Sequence, residues 1–379
     1  MRRLLLAFVL LGIASPAFAT DERADRVIDK AIAAMGGLDR IHAIRSLVFR
    51  GFHYEGSYHQ EYASSFKSNA VMARLRPGLR LVGCRPEIPE CEGKWGRILE
   101  GYDGTRGWEL NWQKQRLVRT VNKAEIALRC GAEFDFLFID YKARGLTATY
   151  LGERTMLGRK TIAVQIDQKG CSSAIYHFDR ATYRLEMLQL RIPVHARGDL
   201  IDTVAVYREF TTVNGVRLPS RSEEVSLKTG EVLGGGAWTS ITANTLQDDA
   251  AFRAPAVTPT PITATVLDML TIADKADPPV MMARYDTFRA STDGKDLDTA
   301  YDLNWLGYEL LKVDKYPAAI AVFERVIAEH PQSADAYDSL GDAYLQKGDN
   351  AAAANAFDKA LAIDPKNEAV RNKRAKIGS

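Results

Sequence analysis

Histidine is scarce in this chain, with 6 residues among 379, and cysteine is scarcer still, with 4. Neither C-x-x-C nor H-E-x-x-H occurs, so the spacings that most directly announce a zinc site are missing. An excess of either charge is missing too, since 50 Lys and Arg face 48 Asp and Glu. Arg2 and Arg3 lie in a segment expected to be removed, and without them the two signs are equal. A balanced chain has no cationic field to drive counterion release, so nucleic acid is not an expected partner. Beyond the first twenty residues no run of 18 apolar residues exists, and no transmembrane segment is expected in the mature chain. Nothing implies a cofactor.

What is present begins with an address. Met1-Arg2-Arg3 is a short positive region, Leu4 to Ala14 is an apolar run, and Ala17-Phe18-Ala19 is an A-x-A cleavage pattern before Thr20. This is the pattern of a secretory signal peptide over 1–19, and the run falls short of the roughly 20 residues that span a bilayer. An exported, periplasmic protein is the expectation. In an oxidising compartment an even number of cysteines implies disulfides. Cys84 and Cys91 bracket a loop containing Pro86 and Pro89, which favours a reversal, so these two are expected to pair and leave Cys130 with Cys171. Three connectivities remain formally open.

Two periodicities divide the rest. From Ser46 to about Trp238, short β-branched and aromatic runs alternate with Gly, Pro and Asp, which predicts an antiparallel sheet in a sandwich or barrel. The runs are Ser46–Tyr54, Val71–Arg76, Gly107–Trp112, Thr147–Leu151, Thr161–Ile166, Ala174–Phe178, Arg184–Ile192 and Thr203–Phe210. Helices are expected over Asp25–Met35, stopped by Gly36-Gly37, and from about Lys123 to Ala143. The stretch 253–262 alternates Pro with small residues and is expected to be an extended, stiff linker. It separates a domain over 20–252 from a helical one over 263–379. The first has a small basic excess and the second an acidic one, which permits docking without demanding it.

The tail repeats itself every 34 residues. Leu306, Gly307, Ala319, Phe323 and Pro331 recur as Leu340, Gly341, Ala353, Phe357 and Pro365. The units AYDLNWLGYELLKVDKYPAAIAVFERVIAEHPQSAD and AYDSLGDAYLQKGDNAAAANAFDKALAIDPKNEA resemble the tetratricopeptide repeat, with clear copies at 300–333 and 334–367. Small residues let paired helices approach, the phenylalanines fill the gap, and the prolines end the second helix. Thr263–Ala273 and Val280–Ala290 are expected to form a preceding hairpin, and Glu368–Lys376 a capping helix. The resemblance maps groove positions to Tyr301, Asn304 and Tyr308, then Asp335, Asp338 and Asp342. The three aspartates share one helix face, so an acidic groove for a basic peptide or protein segment stands beside the plainer reading of a solvated face.

Residues 20–252 resemble the outer-membrane lipoprotein carrier and sorting proteins, the LolA-like superfamily. The segments that carry this are ADRVIDKAIAAMGGLDRIHAIRSLVFRG, GYDGTRGWELN, AEFDFLFIDYKARG, YLGERTMLGRK and FTTVNGVRLPSR. The resemblance implies an α+β fold: a curved, half-open antiparallel barrel with a helical lid over a cavity for acyl chains, here followed by the all-α repeat array. Trp108, Leu110 and Trp112 fall on one strand face, and Phe134, Phe136, Phe138 and Tyr141 form an aromatic lid segment. These seven are the expected ligand-binding residues, and the expected ligand is an acylated lipid or lipoprotein moiety. Burying a chain yields about 0.8 kcal/mol per methylene with no catalytic group.

A catalytic alternative rests on Ser64-Ser65-Phe66-Lys67 and Lys228-Thr229-Gly230, which match S-x-x-K and K-T-G of penicillin-recognising serine enzymes. That chemistry puts the serine at a helix N-terminus, whereas Tyr58–Tyr62 alternates like a strand, and the intervening S-D-N is missing. The expected function is therefore a non-enzymatic lipid carrier or sensor with a protein-interaction tail. An interaction scaffold with a filled β domain is the alternative, and a serine hydrolase the remote one.

Overall fold

The computed structural model describes residues 21–55, 67–92, 98–120, 122–171, 173–193, 200–227 and 229–377. The expected signal peptide and Ser64 therefore lie outside the described residues, as does Lys228. Helix α1 (Glu22–Met35) starts where the Asp21 carboxylate accepts the Arg23 amide, and buries Ala24, Val27, Ile28, Ala31 and Met35. Their three- and four-residue spacing makes one apolar stripe. At its end Gly36 adopts φ +126°, and a Cβ there would stand 2.2 Å from the Gly215 carbonyl oxygen. Only glycine lets the helix end touch that turn. A short α2 (Leu38–Ala43) follows.

Thirteen strands form one antiparallel sheet. They are β1 (Ser46–Glu55), β2 (Lys67–Leu75), β3 (Leu79–Val82), β4 (Ile98–Tyr102), β5 (Gly107–Asn111) and β6 (Arg116–Arg119), then β7 (Thr147–Met156), β8 (Arg159–Asp167), β9 (Ala174–Asp179), β10 (Leu185–Pro193), β11 (Leu200–Val213), β12 (Val216–Val225) and β13 (Val232–Ala243). The order is β6-β5-β4-β3-β2-β1-β13-β12-β11-β10-β9-β8-β7. The sheet is open, and its two edges, β6 and β7, are consecutive in the chain. The connection between them crosses the sheet, which is why the aromatic segment lies over one face. It begins with α3 (Asn122–Gly131) and continues as turns. The helix expected to reach Ala143 thus ends twelve residues early, because the aromatic side chains anchor on the sheet.

Alternation along the strands sorts the apolar residues onto two faces. One cluster holds Leu47, Phe49, Val164, Tyr176 and Phe178 beneath α1 and the Phe134–Tyr141 segment. On the opposite face Val48, Ala73, Leu81, Leu99, Trp108 and Leu110 pack against Ala251 and Phe252. Cys84 and Cys91 form one disulfide and Cys130 and Cys171 the other, with Cα atoms 5.4 and 5.9 Å apart. Within the first loop Arg85 donates to the Ala251 carbonyl at 2.9 Å and to that of Arg253 at 2.5 Å, while Trp108 Nε1 donates to the Phe252 carbonyl at 2.8 Å. Three successive carbonyls of this strap, residues 251–253, are thus satisfied, and Phe252 is fully buried.

The tail is helical throughout: α4 (Pro261–Ala273), α5 (Pro278–Arg289), α6 (Ala300–Lys312), α7 (Tyr316–Glu329), α8 (Ala334–Lys347), α9 (Asn350–Ile363) and α10 (Glu368–Ile377). A Cβ on Gly307 would meet the Phe323 ring at 2.3 Å, and one on Gly341 the Phe357 ring at 2.4 Å. Repeat periodicity here is packing. The tail docks on the sheet edge: Thr263 Oγ1 donates to the Lys114 carbonyl at 2.7 Å. Asp302, 1% exposed, pairs with Arg116 at 3.4 Å and Lys114 at 3.1 Å. The Arg116 guanidinium also lies 3.8 Å from the Trp305 ring centre. Among the described residues no helix is long and apolar enough to cross a membrane.

Candidate ligand cavity

Between the first apolar face and its cover lies a cavity of about 200 Å³. The sheet contributes Leu47 and Phe49 of β1, Met72 and Arg74 of β2, Val216, Leu218 and Arg221 of β12, and Trp238 of β13; the cover contributes Met35, Ile41, Phe134, Phe136 and Ile139. Phe49 and Trp238 tilt against each other at 5.5 Å between ring centres, and Phe136 sits edge-on to Tyr207 at 6.2 Å. The walls are therefore aromatic and aliphatic, with charged groups at few points.

Specific polar contacts hold the cover down. Arg76 donates through Nε to the Ile44 carbonyl at 2.7 Å and through Nη2 to the Ile41 carbonyl at 2.9 Å. The same guanidinium grips Asp135 with both nitrogens and lies over the Phe134 ring. One side chain just beyond the end of β2 thereby ties down both α2 and the aromatic segment. Tyr141 donates to Asp25, Lys142 pairs with Asp25 at 2.8 Å, and His42 meets Asp140 at 2.5 Å. Burial and the Asp25 contact together push the Tyr141 hydroxyl far above its ordinary range.

Of the seven residues expected to bind ligand, the structure brings two to the cavity, Phe134 and Phe136. Phe138 is buried beside it, edge-on to Tyr176 at 4.9 Å and to Phe178 at 5.4 Å. Tyr141 is a tether to α1. Trp108, Leu110 and Trp112 do share one face, as alternation requires, but it is the opposite one, covered by the strap. Alternation fixes which residues share a face and is silent on which face is hollow. The lining residues that sequence reading missed lie mostly on β1, β2, β12 and β13, with Tyr207 on β11, Met35 on α1 and Ile41 on α2. Leu47 and Phe49 alternate visibly; Trp238 follows Gly234-Gly235-Gly236, and its strand was not expected.

The six expected groove residues are mostly engaged within the chain. Tyr301 accepts from Asn111 Nδ2 at 3.3 Å and so serves the docking edge. Tyr308 donates to Asp342 at 3.0 Å, and Lys373 of α10 reaches both Asp338 and Asp342 at 2.8 Å. Burial raises the Asp338 pKa while Lys373 opposes that rise. Asn304 is half-buried on α6, and Asp335 alone of the three aspartates is exposed. Two of the three aspartates of the stripe therefore share the chain's own Lys373. Lys67 opens strand β2, and Thr229 and Gly230 lie in the turn between β12 and β13; neither sits on a helix.

Comparisons with known proteins follow the same division. Residues 306–368 match the tetratricopeptide repeat family. A tetratricopeptide repeat domain-containing chloroplast protein of Arabidopsis thaliana is 39% identical over 82 residues, which are 22% of this chain and 27% of that relative. The chain thus spans about a quarter of that relative's length. Over the N-terminal part, an outer membrane lipoprotein-sorting protein domain from Vibrio parahaemolyticus is similar, with 11% identity and a TM-score of 0.40; the match covers 61% of this chain and 97% of the other. A LolA superfamily protein from Nitrosomonas europaea matches with 13% identity and a TM-score of 0.39, over 61% of this chain and 97% of the other.

Proposed function

We propose that this is an exported, periplasmic binding protein for an apolar or acylated ligand, of carrier or sensor type, with a repeat tail that serves protein contact. The observation that carries the reading is the cavity: aromatic and aliphatic walls closed by a cover that polar tethers hold. Two disulfides agree with an oxidising compartment. The mechanism is reversible sequestration, in which the walls replace water around a chain and release follows when the tethers of Arg76 and Asp25 part. No step makes or breaks a covalent bond. An acyl moiety of a lipid or lipoprotein is the ligand class proposed, and the exposed helix faces of the repeats are the proposed place for a protein.

Native mass spectrometry of the protein isolated from its periplasm without detergent, followed by organic extraction, tests this. A stoichiometric lipid should be present, should be lost in Phe136→Ala and Trp238→Ala, and should survive in Trp108→Phe on the opposite face. A second reading, a scaffold with a filled β domain, draws on the packed Phe138–Tyr176–Phe178 cluster beside the cavity. A wild-type protein that is empty and ignores added fatty acids and phospholipids would establish it instead.

A further inference from the structure

The charged groups on the cavity wall are Arg74, Asp135 and Arg221, and two of them are matched. Asp135 is held by Arg76, and Arg221 faces Glu209 at 3.0 Å and Glu223 at 3.7 Å. Arg74 differs. Among the described residues its hydrogen-bond partner is the Glu133 carbonyl, and no carboxylate forms an ion pair with it. The nearby acids are engaged elsewhere, Glu133 by Arg144 and Asp135 by Arg76. Across the β2–β3 ladder its register partner is Arg80, a second guanidinium, whose charge Glu100 counters. Burial, reinforced by Arg80 and only partly offset by Tyr207, Asp135 and Glu133, pushes the Arg74 pKa down to about 10, so the group is still cationic at neutral pH. A half-buried guanidinium with one neutral acceptor is costly unless an anion completes it.

We infer that the cavity takes a single-chain amphiphile whose anionic head group, a carboxylate or phosphate monoester, pairs with Arg74 while its chain lies along Phe49, Met72, Phe136, Leu218 and Trp238. This deepens the binding function proposed above and rests on it. Charge selects the head: a neutral or cationic head would leave the guanidinium unmatched. Size selects the chain, since about 200 Å³ falls below the roughly 300–1,000 Å³ of sites that enclose drug-sized molecules, so one chain fits and a diacyl lipid does not. A bidentate Arg–carboxylate or Arg–phosphate pair supplies the geometry.

Calorimetric titration of the full delipidated chain with decanoate, decyl phosphate, decanol and decyltrimethylammonium tests the inference. The anions should bind at least about tenfold tighter than decanol, as befits a charge-assisted hydrogen bond, and the cation should bind weakest. Arg74→Met should erase that preference, so that the anions bind no tighter than decanol does to the same variant, while Arg74→Lys should keep part of it. The better of the two anions identifies the head group. Decanol binding as tightly as the anions, or a preference that survives in Arg74→Met, would overturn the inference yet leave an apolar site standing. Inorganic phosphate binding as tightly as decyl phosphate would make this a free-anion site and overturn it too. If no amphiphile of any charge binds, the binding function itself fails. Should Arg74→Met not fold, the wild-type series and Arg74→Lys still decide.

Discussion

His177 occupies the middle of β9 with no exposed surface, and its neighbours along the strand, Tyr176 and Phe178, point to the other face. Its Nδ1 lies 3.3 Å from Thr161 Oγ1. Burial lowers its pKa below the ordinary 6.5, with Gln189 opposing. The folded state therefore holds this imidazole neutral where the unfolded chain would take up a proton. Stability from this group is complete above about pH 6.5 and is lost as the pH falls below it. Urea midpoints should drop between pH 7.5 and pH 5 in the wild type, and His177→Asn should flatten that slope. An equally steep slope in the variant would remove His177 from the account. Arg74 and Arg76 show the same principle with opposite outcomes two positions apart: Arg76 meets a carboxylate and two carbonyls, whereas Arg74 meets a single carbonyl.

The segment that joins the two sheet edges is fastened at α3 as well as at its aromatic turns. The Cys130–Cys171 disulfide links α3 to the turn between β8 and β9, and Arg129 donates to the Gly170 carbonyl there at 2.7 Å. With a separation of 41 residues, loop-closure entropy puts its contribution near 4 kcal/mol, against about 2.5 kcal/mol for Cys84–Cys91 with a separation of 7. The double variant Cys130→Ser/Cys171→Ser should lose more denaturant stability than Cys84→Ser/Cys91→Ser and should open α3 to amide exchange first. Equal losses would contradict the loop-entropy account. These elements also show what a sequence makes legible. Eight strands, both N-terminal helical starts and the two repeats follow from periodicity, because alternation and the 34-residue recurrence are local. Strands β3, β4 and β6 escaped it because they are only 4, 5 and 4 residues long, and β12 and β13 because VRLPSRSEEV is polar with an internal proline and VLGGGAWTSITA is glycine-rich. These last two are held by ladders on either side. A third of the cavity lining lies on those two strands, with five residues of β12 and Trp238 of β13, and so the cavity was less legible than the fold.

Between the sheet and the repeats the joint is built, not merely permitted by opposite charge. Asp302 and Arg116 are both almost fully buried, and Thr263 and Tyr301 add hydrogen bonds to the same edge. The linker is held at its start by Arg85 and Trp108 and at its end by the Thr260 cap of α4. Docking also covers the Arg116 end of edge strand β6, a stretch that would otherwise offer unpaired backbone groups. Removing one partner of a buried pair costs about 3–5 kcal/mol. Asp302→Ala should therefore lower the unfolding free energy by that order, while Lys114→Ala, at a half-exposed position, should cost far less. The Asp302→Leu/Arg116→Met double variant should recover much of the loss. A loss in Asp302→Ala no larger than that in Lys114→Ala would mean that the pair does not hold the joint.

The strand order has one further consequence, which concerns time. Each ladder but one joins strands that follow each other in the chain, giving two meanders, β1–β6 and β7–β13. The exception is the seam between β1 and β13, where Leu47 faces Ala243. Contacts so distant in sequence are slow to form, so each meander should zip up before the seam closes. Leu47, Phe49 and Trp238 line the cavity from both sides of that seam. The cavity wall is therefore incomplete until β13, which ends at Ala243, has joined β1, so a chain whose last strand has yet to form can enclose nothing there.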